Sequence, residues 1–223
     1  NHGKFIVTRT VGDQVALQAA HETGRVLYGG GGLAGTPIID YRAYKDAVPG
    51  GDIHMKIHGF ATRERLRAVT GQTANHVMLL DNGQRGDFDL ANPILSDALW
   101  AMDDWLVVLL SDQSSDPRVV KVARAKPANL VDACYDSTGQ KIAEPATIQG
   151  GTCNALYPTF STPRLVAGAP IADNVLKCAL KAISPTDYTV TFSSSELAQL
   201  QQIFPNGVCD YSTPGPWQVP LRG

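Results

Sequence analysis

"TPIIDYRAYKDAVPGGDIHMKIHGFATRERLRAVTGQTANHVMLLDNG", residues 36–83, is the stretch on which the fold turns. Its opening, Thr36–Asp40, reads as a short strand that stops at a carboxylate. "FATRERLRAVTG" reads as a helix, with Thr62 able to cap, Leu66 and Val69 apolar, and Gly71 as the stop. "NHVMLLDNG", residues 75–83, is a continuous apolar run closed by Asn-Gly, which suits a strand buried on both faces of a parallel sheet. A second helix follows in "NPILSDALWAMDDWLVVLLSD". Pro93 stands near its start, and Ile94, Leu95, Ala98, Leu99, Met102, Trp105, Leu106 and Leu109 recur at helical spacing. Trp100 and Trp105 read as core anchors of that helix. Strand, helix, strand, helix with short joints is the signature of crossover units, so the expected fold class is α/β with a parallel sheet.

Outward from this stretch the signals thin. "VGDQVALQAAHETGRVLY" before it reads as a helix with Asp13 at its N-terminus and Gly29 beyond its end. His21 reads as a surface residue of that helix. "GGGGLAG", residues 29–35, precedes a strand rather than linking a strand to a helix, the wrong order for a dinucleotide or phosphate cradle. From Ser111 onward the chain is loops and short extended pieces until "SSSELAQLQQIFP", a helix with Glu196 as capping-box partner and Pro205 as its stop. The expected division is residues 1–110 as strand/helix units of an α/β core and 111–223 as a loop-rich, disulfide-stapled extension packed on it. Two strands make no stable open sheet, so the rest of the core is expected upstream of Asn1, where the chain starts without a Met.

The 223 residues carry a formal charge of −2 and only 18% charged side chains, with no Lys/Arg stripe to neutralise phosphates. That argues against a nucleic-acid partner. The longest apolar run, Trp105 to Leu110, is too short to span a bilayer. Cys134, Cys153, Cys178 and Cys209 show no C-x-x-C pair and no histidine at ligand spacing, which makes zinc a poor reading. They read as two disulfides of a secreted or periplasmic protein. Cys134–Cys153 and Cys178–Cys209 are the favoured pairs, because each closes a local loop containing turn residues.

Asp40, Asp52, His54 and His58 fall within twenty residues, beyond or at the end of the first strand, where open α/β sheets gather ligands. A carboxylate that orients a histidine makes a general base for a nucleophile supplied from elsewhere. Asp52, His54 and His58 could instead hold a metal as D-x-H-x-x-x-H, although this departs from the H-E-x-x-H arrangement on one helix. The plain alternative is that the histidines only hydrogen-bond the loop.

"GRVLYGGGGLAGTPIIDYRAYKD", "GGDIHMKIHGFATRERL", "DDWL", "RVVKVARAKPANLVDACY", "GGTCNALYPTFSTPRLVAGAP" and "IFPNGVCDYSTPG" together resemble the C-terminal part of an uncharacterised family of exported bacterial proteins. That family is similar to α/β-hydrolase-type serine hydrolases near the tannase-like and polyester-oligomer hydrolases. The resemblance implies an ester hydrolase with a Ser-His-Asp triad and no cofactor. Its serine would lie in a C-S-G-G-S-type elbow on an upstream segment or second chain of a processed precursor. Asp40 fits the acid slot and Asp52 stands second. The histidine slot after "HVMLL" is empty in "DNGQRGDFDLANP", and His76 precedes that strand at its wrong end. The base is therefore expected from His58, whose neighbour Gly59 permits close approach, with His54 as the alternative. Tyr41, Arg42 and Tyr44 would shape the substrate pocket. Two other classes remain: a non-catalytic partner or lid module completing the fold, and a metal-dependent hydrolase using Asp52, His54 and His58.

Overall fold

A computed structural model describes residues 12–49, 53–84, 89 and 91–220. Its helices are α1 Gln14–Glu22, α2 Ile57–Thr70, α3 Pro93–Ser111, α4 Arg118–Ala125, α5 Thr152–Leu156, α6 Pro163–Val166 and α7 Ser194–Ile203. Its strands are β1 Ile38–Ala43, β2 His76–Asp81, β3 Ala133–Tyr135, β4 Lys141–Ala143, β5 Ala179–Lys181 and β6 Val208–Asp210. The chain divides into two compact units, Tyr28–Leu165 and a second formed by Asn1–Leu27 with Val166–Gly223.

The Tyr28–Leu165 unit is built on a four-stranded sheet in the order β1-β2-β3-β4. β1, β2 and β3 run parallel, and β4 turns back antiparallel to β3. The expected α/β class with a mostly parallel sheet is therefore present. Residues 111–165, assigned to the extension in the sequence reading, contribute α4, β3, β4 and α5 to this unit.

Every residue of β2 is buried, as its unbroken apolar run implies. The strand alternation then sends odd and even positions to opposite faces. On one face Val77 and Leu79 pack with Ala98, Trp105 and Leu109 of α3 and Val122 and Ala125 of α4. The other face carries His76, Met78 and Leu80 beside Ile38, Asp40 and Arg42, and lies under α2. Gly59 permits that approach, because a Cβ there would stand 2.6 Å from Met78 Cε and 2.7 Å from Asp40 Oδ2. α3 begins at Asn92, whose side chain accepts the Ile94 N–H, with Pro93 in the first turn.

Three local expectations change. β1 continues past Asp40 to Ala43, because Arg42, two residues on and on the same face, pairs with the Asp40 carboxylate and makes it tolerable inside a strand. α2 starts at Ile57 rather than after Gly59, which puts His58 in its first turn. Trp100 is 68% exposed, whereas Trp105 is fully buried and donates its indole N–H to Val122 O.

The other unit holds α1, α7 and the antiparallel β5–β6 pair. The capping box at Ser193 and Glu196 is present as expected. His21 is buried rather than on the surface, and burial lowers its pKa. Disulfides join Cys134 to Cys153 in the first unit and Cys178 to Cys209 in the second, the pairs favoured from sequence. Among the described residues no helix is long and apolar enough to cross a membrane.

Candidate active site

Two polar clusters stand on the α2 side of the first unit. The deeper one starts at Asp40 within β1. Arg42 Nε lies 2.7 Å from Asp40 Oδ1, and Nη2 donates to Oδ2 at 3.1 Å. His76 Nε2 faces the same Oδ2 at 3.8 Å, and its Nδ1 accepts from Arg63 Nε at 3.1 Å. Arg63 then forks onto Asp132, Nη1 to Oδ2 at 2.6 Å and Nη2 to Oδ1 at 2.7 Å. Asp132 also accepts the Met78 and Ala146 backbone N–H groups. The result is a partly buried relay, Arg42–Asp40–His76–Arg63–Asp132, centred on the buried His76, that ties α2 and β3 to the strands.

Burial pushes the Asp40 carboxyl up, but the facing His76 and Arg42 outweigh it and leave the pKa below the ordinary value. Asp132 behaves alike: burial raises it, and Arg63 with two backbone N–H groups brings it down overall. The Arg63 Nε–H is aimed at Nδ1, which leaves Nε2 as the ring nitrogen facing Asp40. Its ring has no exposed surface, so His76 is packed inside this relay.

The second cluster lies beyond the carboxyl end of β1. Asp46 is three residues past Ala43, and its Oδ1 accepts the Lys56 backbone N–H at 2.9 Å. Asp46 Oδ2 is buried, and the Phe160 backbone N–H also bears on this carboxylate. Burial raises this carboxyl, and the Lys56 N–H and ammonium, the Phe160 N–H and Arg42 offset only part of the rise. The Lys56 side chain is buried as well. Its Nζ donates to Tyr157 O at 2.8 Å and to Asn154 Oδ1 at 3.1 Å, and burial lowers its pKa to about 8. Tyr44 reaches the same segment, donating its hydroxyl to Pro158 O at 2.7 Å. Cys153, at the start of that segment, is stapled to β3, and Glu144 accepts its N–H. The loop between β1 and α2 is thus bracketed onto the disulfide hairpin.

The predicted site residues separate in space. Asp40 sits inside the strand, in the relay. His54 and His58 are exposed at the rim of the loop, and Asp52 lies outside the described residues. Tyr41 turns to the opposite face, where it meets Asp81. Arg42 stays with Asp40 and donates from Nη1 to Met55 O at 3.3 Å, while Tyr44 braces the loop. Among the described residues no group of three His, Cys, Asp or Glu side chains could hold a metal ion. Nothing in the sequence points to Lys56, and the sequence reading places His76 at the wrong end of its strand. A lysine in a Gly-rich polar loop carries no sign that it will be buried, and the partners of both side chains come from segments far along the chain.

A mostly parallel α/β sheet with a polar loop fastened beyond a strand's carboxyl end is the architecture of ligand-binding and catalytic α/β proteins. The chain belongs to the tannase-like family of unknown function (DUF6351), whose model matches residues 1–220. No curated protein and no solved structure matches it.

Proposed function

We propose that this chain carries the acid–base part of an esterase-type hydrolase of the serine class, exported and acting in an oxidising compartment. Membership of a tannase-like family supports the reaction class, and two disulfides support the compartment. The observation that carries the site is the bracketed loop. Asp46 stands where parallel α/β sheets put functional groups, held by the Lys56 N–H, while His54 and His58 stand exposed nearby in sequence. The serine and its oxyanion hole come from a segment other than the residues described, on the same precursor or a second chain.

In this reading a histidine of the loop, His58 with His54 as alternative, takes the serine proton as acyl transfer begins and returns it to the leaving alcohol. A carboxylate fixes that imidazole. Asp46 and Asp40 compete for that role: the Lys56 and Phe160 backbone N–H groups bear on the Asp46 carboxylate, and Arg42 and His76 face that of Asp40. Asp52 is the remaining candidate acid.

The natural gene product should label with a fluorophosphonate and hydrolyse p-nitrophenyl esters. His58→Ala should lower kcat about 10³-fold or more at an unchanged melting temperature, in line with loss of a triad member. Asp46→Asn and Asp40→Asn, compared in the same way, decide the acid. A folded natural product that neither labels nor turns over esters would end the hydrolase reading.

A further inference from the structure

A small cavity in the Tyr28–Leu165 unit is walled by Met78, Leu80, Ala133, Ala146 and the Cys134–Cys153 disulfide, and Lys56 forms part of the same wall. Its volume of about 30 Å³ holds about two waters, so a group of two or three non-hydrogen atoms fills it. Lys56 is 5% exposed, a burial that lysine rarely reaches without a carboxylate partner. Here the partners of Nζ are neutral, Tyr157 O at 2.8 Å and Asn154 Oδ1 at 3.1 Å. An ammonium has three donors, and among the described residues only these two acceptors meet it. When the third proton leaves, the nitrogen keeps both hydrogen bonds and gains a lone pair in its place. Burial lowers the pKa to about 8, so a fraction of the amine is neutral and nucleophilic near neutrality.

The surrounding charge selects the electrophile. Asp46 and Glu144 both act on the Lys56 charge, and Glu144 lines the cavity. Arg42, on the wall as well, is already paired with both oxygens of Asp40. A product that keeps a positive charge on Nζ is favoured here. A carbamate, which is negative, is opposed by both acids, and an amide, which is neutral, leaves them without their cation. Condensation with an aldehyde meets the condition, because the imine it forms is held as a protonated cation.

We propose that Lys56 is a covalent docking site for a small aliphatic aldehyde, held as a Schiff base in this cavity. The site stands independently of the esterase reading. The ammonium first loses a proton to solvent. Its lone pair bonds to the aldehyde carbon as the carbonyl π pair moves to oxygen, and a proton passes from nitrogen to that oxygen. The hydroxyl then takes up a proton and leaves as water, while the nitrogen pair closes the C=N bond of the iminium. Ammonium and aldehyde thus give iminium and water, with no oxidant or reductant. The iminium keeps one N–H for Tyr157 O, and the released Asn154 Oδ1 still accepts from Thr159 N and Oγ1.

The test incubates the full chain with acetaldehyde and cyanoborohydride at about pH 7.5 and locates the ethyl groups by peptide mass mapping. Lys56 should be alkylated at least about tenfold faster than the exposed Lys141 and Lys181, since an ordinary lysine is almost entirely ammonium at that pH. Benzaldehyde, too large for the cavity, should show no such preference, and the preference should vanish in the urea-unfolded chain. Ala146→Leu, which fills the cavity, should slow labelling of Lys56 and leave Lys141 unchanged. The proposal fails if Lys56 in the parent reacts no faster than Lys141, or if benzaldehyde shows the same preference. It fails equally if the preference survives in urea or in Ala146→Leu. A carbon-13 carbamate signal formed from labelled bicarbonate and absent from Lys56→Met would assign the cavity to carbon dioxide and overturn the aldehyde.

Discussion

Tyr41 donates its hydroxyl to Asp81 Oδ2 at 2.6 Å, joining the two parallel strands on the side of the sheet covered by α3. Asn92, at the head of α3, donates to the same hydroxyl at 2.6 Å and to the same carboxylate oxygen at 3.2 Å, and the Gly83 N–H takes Asp81 Oδ1 at 2.6 Å. Gly83, with φ of +71°, turns the chain there, and a Cβ would stand 2.5 Å from Tyr44 O. Asp81 and Asn92 are both buried, so lost donors are not replaced by water. Tyr41→Phe is expected to cost about 1–3 kcal/mol. Asn92→Ala should cost at least as much, because it removes a helix cap worth ~1 kcal/mol in addition to a donor. Urea unfolding measures both, and equal stability of Tyr41→Phe and the parent would contradict the clamp.

Lys56 gives the unit a pH dependence of unusual sign. Its folded pKa of about 8 lies below the ordinary 10.5, so between these values the unfolded chain binds more protons and stability rises with pH. The gain from this group is absent below about pH 8 and complete near 10.5, reaching about 3 kcal/mol at 1.36 kcal/mol per pKa unit. Lys56→Met removes the term. The difference in unfolding free energy between parent and variant should therefore shift toward the parent from pH 7 to pH 10. A flat difference would show that Lys56 is not buried as described.

Arg63 serves two acceptors at once, His76 Nδ1 and the Asp132 carboxylate. Arg63→Ala leaves a partly buried carboxylate with only its two backbone N–H donors and is expected to cost about 2–3 kcal/mol, below the roughly 3–5 kcal/mol typical of a fully buried pair. Lysine cannot reproduce the fork, so Arg63→Lys should recover only part of that loss. Asp132 and Asp40 both have lowered folded pKa values, so their stabilisation is present above the unfolded carboxylate pKa and is lost as pH falls through the folded one. Acid titration of the melting temperature should be steep below about pH 4 in the parent and shallower in Arg63→Ala.

Each disulfide acts on its own unit. The Cys134–Cys153 loop spans 19 residues and the Cys178–Cys209 loop 31, for which chain entropy estimates about 3 and about 4 kcal/mol. The double variant Cys134→Ala/Cys153→Ala should loosen the hairpin that anchors Tyr44 and Lys56. Backbone amides of residues 44–49 and 53–56 should then exchange faster. Cys178→Ala/Cys209→Ala should leave those amides unchanged, and the reverse pattern would contradict the bracket.

Much of the α/β unit was legible from local pattern. The apolar run of β2, the Pro93 start of α3 and the Gly71 stop of α2, like the capping box at Ser193 in the other unit, each act through neighbours a few residues away, so periodicity and cap chemistry were enough. The disulfide pairs were readable for the same reason, because both close local loops. The extent of β1 was not, since Asp40 looks like a strand terminus until Arg42 neutralises it on the same face. Nor was the site around Asp46, whose Lys56 neighbour is fixed by Asn154 and Tyr157 about a hundred residues away.

Trp100 and Trp105 mark the boundary between the two kinds of information. Both belong to one apolar helix, and the sequence by itself determined that helix and its crowded apolar surface. Only the tertiary structure decided that Trp105 enters the core while Trp100, Leu99 and Leu110 stay outside. Helical spacing reports which residues share a face. Which face a sheet of four strands can cover is settled by the area that sheet offers, and that area is a property of segments brought together in space.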